Sequence, residues 1–376
     1  MRVLLAGGGT GGHVYPSLAV VASARELADS APEFQYAGSS NGLERPIVER
    51  AGLPFRTVDA GAVRGRSAVA AGLGLARCLR GISQAREVIR RFQPHVVLAT
   101  GGFVGVPVVL AARLSGVPTV VYLPDLRPGW AVRLLARVVT VVGVSFEEVR
   151  PYVPCRRVVV TGYPVRPELL SWTRARARVS LGIPVDAPVT LVIGGSRGAR
   201  TLNQAIQRDL TPLLERSWVI HASGAAHFAD LNAERIRLPG ALRDRYHLFP
   251  YLEAELAPAM AAATLVVARS GASVLGELPA VGAPGVLVPG PFAGTHQRLN
   301  ADFLASRGAA VIVDDQAAQH GALVTETLVL LADAPRVEEM ARRSQSLARP
   351  GAARALFRLV AEVAERKTGR WVEGLA

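Results

Sequence analysis

Two glycine-rich runs in this chain have the composition of loops that bind phosphate. The first, GGGTGGH, spans residues 7–13, and the second, GGSRGA, spans residues 194–199. Each follows a short apolar run and precedes a segment of helical composition, which predicts a strand, a glycine loop and a helix. Backbone N–H groups at the start of such a helix, together with the helix dipole, favour a negatively charged group. Both loops are therefore candidates for phosphate binding.

Other phosphate-binding motifs fit less well. Gly7, Gly9 and Gly12 satisfy GxGxxG, but an NAD site also needs an acidic residue after the second strand. That strand, FQYAG, ends instead in GSSN, with Glu44 beyond it. A P-loop is excluded because neither glycine run contains the lysine of GK[ST]. Two cysteines, no Cys/His cluster and no DxD triplet predict that the chain uses neither a cofactor nor a metal.

The elements that must position these loops repeat as strand and helix. Apolar runs at 34–38, 96–102 and 119–125 follow the first loop, and the pattern restarts at Val189–Ile193. Further apolar runs occupy 218–224, 247–252, 265–278 and 286–290. These runs do not alternate with polar residues, which is typical of buried parallel strands. We predict an α/β fold with two doubly wound Rossmann-like domains that face across a cleft, joined near residues 161–170, with ligands at the carboxyl ends of the strands.

The charge of the chain predicts an anionic partner. Of 376 residues, 50% are hydrophobic and 19% are charged, and the net charge is +13. Residues 1–163 hold nineteen arginines against ten acidic residues, and seven of those arginines fall in 64–91. Nucleic acid is the least favoured anion, because aromatic residues do not interleave with these arginines and no nucleic-acid-binding motif is present. No nucleic-acid partner is therefore expected.

The basic stretch also has an apolar side. Leu73, Leu75, Leu79, Ile82 and Ile89 recur at helical spacing among the arginines. Such a helix can lie in an anionic membrane interface, and it can equally be a core helix with a solvated basic face. In the first case the membrane-contact residues would be Arg77, Arg80 and Arg86.

The sequence predicts neither a membrane-spanning helix nor a signal peptide. The uncharged stretches Val96–Ala112 and Leu278–Thr295 contain several glycines and prolines, which disfavours spanning helices. The apolar run before the first glycine loop is too short for a signal peptide. A chain that stays in a reducing cytoplasm is the expectation.

Five ordered runs together resemble the MurG family of inverting UDP-N-acetylglucosamine transferases. They are GGGTGGHVYPSLAV at 7–20, TGGFVGVP at 100–107, GGSRGARTLNQAI at 194–206, RSGASVLGE at 269–277 and HQRLNA at 296–301. The resemblance implies a GT-B fold and transfer of N-acetylglucosamine from UDP-N-acetylglucosamine to the undecaprenyl-diphosphate-linked muramyl-pentapeptide. It also implies a peripheral enzyme at the cytoplasmic face of the cell membrane, in peptidoglycan synthesis.

The resemblance also assigns residues and domains. A first domain, residues 1–163, would face acceptor and membrane, and a C-terminal helix from about 341 to 376 would pack back on it. A second domain, residues 164–340, would hold the UDP-sugar. The donor-binding residues implied are Thr10, Gly11, Gly12, Asp125, Arg166, Ser196, Leu252, Ala272, Ser273, Val274, Leu275, Gly276, Glu277 and Gln297. Arg166 and Ser196 would meet the diphosphate, and Leu252 would meet the uracil through its backbone. Residues 272–277 would line the nucleoside, with Glu277 on the ribose, and Gln297 would hold the sugar hydroxyls.

Catalysis needs a base near the acceptor hydroxyl and stabilisation of the departing UDP. His13 or a nearby carboxylate, Asp125, would be the base, and without DxD the helix dipoles and an arginine would replace a metal. The family usually shows HEQN after the fourth strand, where this chain has YLPD, ending at Asp125. The first residue of the usual Gln-Gln pair is His296. These differences leave open another lipid acceptor, a UDP-sugar epimerase, or a non-catalytic protein that binds a UDP-sugar or a lipid.

Overall fold

The computed structural model describes residues 1–9, 11–27, 31–40, 42–61, 68–195, 198–291 and 296–368. Two of the predicted donor-binding residues, Thr10 and Ser196, lie outside this described part. The chain divides into two compact units. The first comprises Met1–Arg166 and Pro350–Ala376, and the second comprises Pro167–Arg349.

The first unit contains a seven-stranded parallel sheet in the order β3-β2-β1-β4-β5-β6-β7. Its strands are β1 Arg2–Ala6, β2 Glu33–Gly38, β3 Phe55–Thr57, β4 Val96–Ala99, β5 Thr119–Leu123, β6 Val141–Val144 and β7 Val158–Val160. Its helices are α1 Gly11–Leu27, α2 Glu44–Arg50, α3 Ala68–Phe92, α4 Gly105–Leu114, α5 Trp130–Leu135 and, from the end of the chain, α17 Ala352–Thr368. Every residue of β4, β5 and β6 is buried. This explains why those strands are apolar throughout.

The last helix completes the core of the first unit. Leu356, Phe357 and Val360 of α17 pack in one buried cluster with Leu5 and Leu98 of the sheet. The chain re-enters the first unit at Pro350, after the preceding helix of the second unit has ended at Ser346. Residues 341–346, which the sequence analysis grouped with the returning helix, are the end of that earlier helix.

The second unit contains a six-stranded parallel sheet in the order β10-β9-β8-β11-β12-β13. Its strands are β8 Val189–Ile193, β9 Trp218–Ala222, β10 Tyr246–Phe249, β11 Leu265–Ala268, β12 Gly285–Leu287 and β13 Ala310–Ile312. Its helices are α6 Arg174–Ser180, α7 Arg200–Arg208, α8 Leu210–Arg216, α9 Ala225–Arg237, α10 Gly240–Arg243, α11 Leu256–Ala262, α12 Val274–Val281, α13 His296–Ala305, α14 Asp315–Gln319, α15 Ala322–Leu331 and α16 Ala334–Ser346. The unit begins at Pro167, in a short 3-10 helix at Pro167–Leu170.

Candidate active site

Each sheet has one point at which its strand order reverses. In the first unit β1 lies beside β4, and in the second β8 lies beside β11. Crossover connections leave these neighbouring strands in opposite directions, which opens a crevice at their carboxyl ends. The first glycine loop begins at Gly7, directly after β1, and the second begins at Gly194, directly after β8. The fold therefore puts both predicted glycine loops where doubly wound sheets bind ligands.

The first glycine loop interlocks with the TGG loop that follows β4. Thr100 Oγ1 donates to the carbonyl oxygen of His13, and Ser17 Oγ lies 3.1 Å from Thr100 Oγ1. Gly102 has φ +77°, and a Cβ there would collide with the Gly8 carbonyl. This position therefore requires glycine on both counts. The two loops therefore contact each other at the edge of the crevice.

His13 lies in the first turn of α1, and its ring packs against the TGG loop. A Cβ on Gly101 would lie 2.8 Å from Cδ2 of this ring. The Nδ1 atom lies 3.1 Å from the Gly8 carbonyl oxygen. Because a carbonyl can only accept, Nδ1 carries the proton in this hydrogen bond, and a neutral ring then has its lone pair on Nε2. The structure thus gives His13 the tautomer that a base acting through Nε2 requires.

Asp125 stands at the same edge of the first sheet, two residues after β5. Its loop is anchored by Ser145, whose Oγ donates to the Pro124 carbonyl at 2.9 Å and lies 2.7 Å from the Tyr122 hydroxyl. Tyr122 is fully buried and occupies the family's histidine position. Leu123, at the family's glutamate position, is 3% exposed. A buried leucine cannot transfer a proton, so His13 and the half-buried Asp125 are the acid–base candidates at this edge.

Arg166, the last residue of the first unit, lies over an aromatic ring. Its guanidinium carbon is 4.1 Å from the centre of the Tyr15 ring, a cation–π distance. Tyr15 was not among the predicted site residues, although an aromatic residue two positions after His13 is visible in the sequence. The structure places Arg166 and the first turns of α1 together within the first unit.

The second glycine loop rests on a buried, uncharged network. A Cβ on Gly198, which has φ +73°, would collide with the Ser223 carbonyl. Asn203 Nδ2 donates to that same carbonyl at 2.8 Å, and Asn203 Oδ1 lies 3.0 Å from Nε2 of His221. On the other side of the ring, Nδ1 lies 2.9 Å from the Tyr246 hydroxyl.

The protons in this network follow from its geometry. Asn203 Oδ1 can only accept, so Nε2 of His221 donates to it and Nδ1 accepts from Tyr246. Both rings are fully buried. Burial lowers the pKa of His221 to about 3, and burial raises the pKa of Tyr246. The support beneath the second glycine loop is therefore neutral. This network was not predicted from the sequence, although a histidine within the apolar strand WVIHA indicates a buried polar contact.

The predicted nucleoside segment divides into two kinds of residue. Ala272, Ser273 and Glu277 are partly exposed, whereas Val274 is 6% exposed and Leu275 is 1% exposed. The last two side chains pack in the core of the second unit. A ligand here can therefore meet their backbone but not their side chains. Leu252 is likewise 3% exposed, which suits the backbone contact predicted for it.

Gln297 lies in the first turn of α13 with its amide oriented. Its Oε1 accepts a hydrogen bond from the backbone N–H of Gly290 at 2.7 Å. Within the described ranges, no hydrogen bond uses its Nε2. This amide therefore presents a donor, which can meet a sugar hydroxyl.

An ion pair at the same edge of the second sheet was not predicted. Arg269 Nη1 lies 2.5 Å from Asp315 Oδ1, and the two side chains are only 15% and 16% exposed. Arg269 also donates to the Val288 carbonyl at 3.1 Å, and Thr201 Oγ1 donates to Asp315 Oδ2 at 3.3 Å. The pair joins the ends of β11 and β12 to the first turns of α7 and α14. In the sequence Arg269 was noted only as the first residue of the run RSGASVLGE.

The described part of the basic stretch lies in α3, which has a buried end and an exposed middle. Ile89 is 4% exposed, whereas Leu79 is 61% exposed, and the arginines Arg77, Arg80 and Arg86 are exposed. Leu114, at the end of α4, is 65% exposed. The side chains of Leu73 and Leu75 lie outside the described part. The described helix thus combines a core contact with an exposed face that is both apolar and basic.

An open cavity adjoins this face. Its volume is about 860 Å³, and its lining includes Arg2, Leu79, Ile82, Arg86, Arg90 and His95. None of the described helices has both the length and the hydropathy needed to cross a bilayer. This face is the candidate for contact with an anionic surface.

Comparison with known proteins identifies the family. The glycosyltransferase family 28 N-terminal domain matches residues 3–144, and the family's C-terminal domain matches residues 189–356. A relative from Roseiflexus sp. (strain RS-1) is 41% identical over 98% of this chain and 96% of its own length. A relative from Desulforudis audaxviator (strain MP104C) is also 41% identical, over 98% of this chain and all of its own.

Both relatives carry the name UDP-N-acetylglucosamine--N-acetylmuramyl-(pentapeptide) pyrophosphoryl-undecaprenol N-acetylglucosamine transferase. The crystal structure of Acinetobacter baumannii MurG superposes with a TM-score of 0.71 at 26% identity, over 96% of this chain and 99% of that one. The predicted GT-B fold class is confirmed. The chain belongs to glycosyltransferase family 28, within the MurG family of glycosyltransferases.

Proposed function

We propose that the chain transfers N-acetylglucosamine from UDP-N-acetylglucosamine to the undecaprenyl-diphosphate-linked N-acetylmuramyl-pentapeptide. The carrying observation is the 41% identity, over nearly the whole length, to relatives named for this reaction. The glycine loops at the two sheet crevices support it, because doubly wound sheets bind their ligands at these positions. We further propose that transfer inverts the anomeric carbon and uses no metal ion.

The second unit is proposed to bind the donor. Backbone amides of the loop that contains Ser196 and of residues Ala272 to Gly276 would meet the nucleotide. Glu277 would accept hydrogen bonds from the ribose hydroxyls, and the Gln297 Nε2 would donate to a sugar hydroxyl. Support comes from the partly exposed position of Glu277 and from the oriented amide of Gln297. The donor contacts of Thr10, Gly11, Gly12, Asp125, Arg166 and Leu252 stay predictions.

The first unit is proposed to hold the acceptor and the base. Nε2 of His13 would take the proton from the acceptor hydroxyl as its oxygen attacks the anomeric carbon, and UDP would leave from the opposite side. Support comes from the hydrogen bond that places the ring proton on Nδ1. Asp125, two residues beyond β5 at the same sheet edge, is the alternative base. Helix N-termini and Arg166 would stabilise the charge that grows on the departing diphosphate.

The direct test uses the purified chain with both substrates. Incubation with UDP-N-acetylglucosamine and the lipid-linked muramyl-pentapeptide in EDTA should give the disaccharide lipid, detected by mass spectrometry. NMR of the new bond should show the β-configuration, since the donor sugar is α-linked. Absence of product would defeat the proposed function. An α-linked product would overturn inversion, and activity that EDTA abolishes and Mg²⁺ restores would overturn metal independence. A donor-only incubation detects epimerisation.

We also propose that α3 rests on the anionic cytoplasmic face of the cell membrane. Exposed Leu79 and Leu114 supply apolar area, and Arg77, Arg80 and Arg86 supply positive charge, which together attract an anionic interface. The ion pair of Arg80 with Asp59, at 3.1 Å, leaves the arginine side chain 75% exposed.

Liposome flotation tests this contact. Vesicles with anionic lipid should retain the chain, and R77E/R80E/R86E should release it. The matched control R216E/R237E/R243E changes net charge equally at exposed arginines of the second unit. Equal retention of both triple variants would contradict the assignment of α3.

A further inference from the structure

A buried carboxylate lies beneath the first glycine loop. Glu44 begins α2 and is fully buried. Its Oε1 accepts hydrogen bonds from the backbone N–H of Ser39 at 2.7 Å and from Ser39 Oγ at 2.5 Å. Its Oε2 accepts from the backbone N–H of Gly9 at 3.3 Å. The carboxylate thus ties the loop after β1 to the loop after β2.

Three glycines surround this carboxylate. A Cβ on Gly8 or on Gly42 would overlap the Glu44 carboxylate, and a Cβ on Gly38 would lie 2.8 Å from its Cγ. The volume left by three absent side chains is therefore filled by one acidic side chain. Gly8 of the GGGTGG motif is explained by this packing rather than by a ligand.

Burying this charge requires a compensating benefit. An isolated carboxylate in a protein interior is strongly unfavourable unless it is hydrogen-bonded or paired. Among the described residues no ion pair involves Glu44, and its carboxylate accepts three hydrogen bonds, two from Ser39 and one from Gly9. Such bonds are charge-assisted and stronger than neutral ones. They fix the orientation of the groups that donate them.

The bond to Gly9 reaches His13 through a single peptide group. The N–H of Gly9 and the C=O of Gly8 belong to the same planar amide. Glu44 accepts from the N–H end of that amide, and the His13 Nδ1 donates to its C=O end. Hydrogen bonds in such a chain polarise one another. The amide cannot rotate without breaking one of the two contacts.

We propose that Glu44 is a positioning residue that orients His13 and fixes its tautomer through the Gly8–Gly9 peptide group. The carboxylate holds the N–H end of the amide, so the C=O end stays directed at Nδ1 and Nε2 keeps its lone pair. The arrangement is a carboxylate–peptide–imidazole relay in which the carboxylate touches neither substrate. The catalytic consequence rests on the proposed function, because it requires His13 to be the base.

The main test compares Glu44→Gln with Glu49→Gln. The amide side chain has the same shape, but its NH2 group faces a donor from Ser39 or from Gly9, so one side of the contact is lost. We expect E44Q to lower kcat by about 10- to 100-fold while KM for UDP-N-acetylglucosamine stays within about twofold. Glu49, on the same helix, is 52% exposed and paired with Arg45, so E49Q should match the wild type.

A second readout is independent of turnover. Long-range 1H–15N NMR of histidine-labelled protein, with the His13 signal assigned from H13N, should show the Nδ1–H tautomer in the wild type. In E44Q we expect a mixture of tautomers. If the wild type does not turn over its substrates, the proposed function fails while this spectrum still tests the relay. A folded E44Q with wild-type kcat and an unchanged His13 tautomer would overturn the proposal.

Two further variants cover the case in which E44Q does not fold. Glu44→Asp keeps the charge but shortens the reach, so it should lose the Gly9 contact and lower kcat as E44Q does. Ser39→Ala removes one of the three hydrogen bonds and leaves the Gly9 contact, so it should change kcat by less than about threefold. If E44D keeps the wild-type kcat and tautomer, or if S39A loses as much kcat as E44D, the relay is refuted.

Discussion

The glycine loop after β1 rests on a carboxylate, whereas the loop after β8 rests on an amide, an imidazole and a phenol. Glu44 supports the first loop, and the side chains of Asn203, His221 and Tyr246 support the second. Both loops leave the first strand of a parallel sheet and border its crevice. Each loop follows a strand and precedes a helix, but the groups beneath the two loops differ in charge.

The difference follows from what each loop is proposed to do. A negative charge beneath a diphosphate site opposes binding, because like charges interact strongly in a poorly solvated region. A neutral support holds the second loop without that cost. The first loop carries His13, and a carboxylate beneath it orients the imidazole. The choice between charged and neutral supports therefore separates a proton-transfer loop from a diphosphate loop.

Replacing His13 should give the largest effect. His13→Ala removes the proposed base, and we expect kcat to fall by about 10²- to 10⁴-fold with the Kd for UDP unchanged. The control is His320→Ala, because the His320 Nδ1 also lies 2.8 Å from a backbone carbonyl but on the exposed surface of the second unit. Turnover assays and calorimetry measure the two quantities. If Asp125→Asn loses this much activity while H13A does not, the base is Asp125.

The neutral network beneath the second loop should affect how the free energy of unfolding depends on pH. The His221 pKa of about 3 lies below its ordinary value of 6.5. As the pH falls below about 6.5, the unfolded chain binds a proton that the folded protein does not, until about pH 3. The contribution of His221 to the free energy of unfolding is therefore complete above about pH 6.5. It should fall by about 1.4 kcal/mol per pH unit as the pH decreases from 6.5 towards 3.

Urea unfolding of the wild type and His221→Gln at pH 7.5, 5.5 and 4.5 measures this slope. Burial also lowers the pKa of His247, which titrates in both proteins, so the difference between them isolates His221. If the free energies of unfolding of the two proteins changed equally with pH, His221 would already carry the proton in the native state. The contrast between the two supports would then disappear.

The sequence predicted both glycine loops and most of the strands, but it missed β3, β6, β7 and β13, and it did not reveal what supports the loops. Buried parallel strands are apolar throughout and glycine loops are contiguous, so both are visible within a few residues. The contact of Gly9 with Glu44 joins positions 35 apart, and nothing local marks which acidic residue is buried. Glu44 had counted only against an NAD site. The Arg269–Asp315 pair was hidden for the same reason, since its partners are 46 positions apart.

For the site residues, too, a local motif identifies the positions but not the orientation of the side chains. The resemblance assigned Val274 and Leu275 to the nucleoside, but a motif does not tell a side chain that points to the ligand from one that points to the core. Both are buried, so backbone contact is what the fold permits. The family glutamate replaced by Leu123 was visible in the sequence. The His13 tautomer, which bears on the base, needed the coordinates.

Moving a carboxylate under the second loop should weaken nucleotide binding. Asn203→Asp places a carboxylate beneath the second loop, as Glu44 lies beneath the first. It also removes the donor to the Ser223 carbonyl. We expect the Kd for UDP to rise about 10- to 100-fold from charge repulsion and the lost hydrogen bond. Asn232→Asp, on α9, adds the same charge as a control. Calorimetric Kd values for folded N203D equal to those of the wild type would show that charge beneath this loop does not matter.

The smallest effect is expected at Asp315, whose ion pair with Arg269 adds no net charge beneath the second loop. Asp315→Asn should lower the free energy of unfolding by about 1.5 kcal/mol, because it removes a charge-assisted hydrogen bond from a mostly buried arginine. It should raise KM for UDP-N-acetylglucosamine about threefold and leave kcat unchanged, since the pair braces the edge that holds Gln297. The adjacent Asp314→Asn is the control, because its side chain is 74% exposed and its surface pair with Arg298 contributes little. If D315N instead lowered kcat as E44Q is expected to, the second unit would also position the reacting groups, and the separation of roles between the two loops would fail.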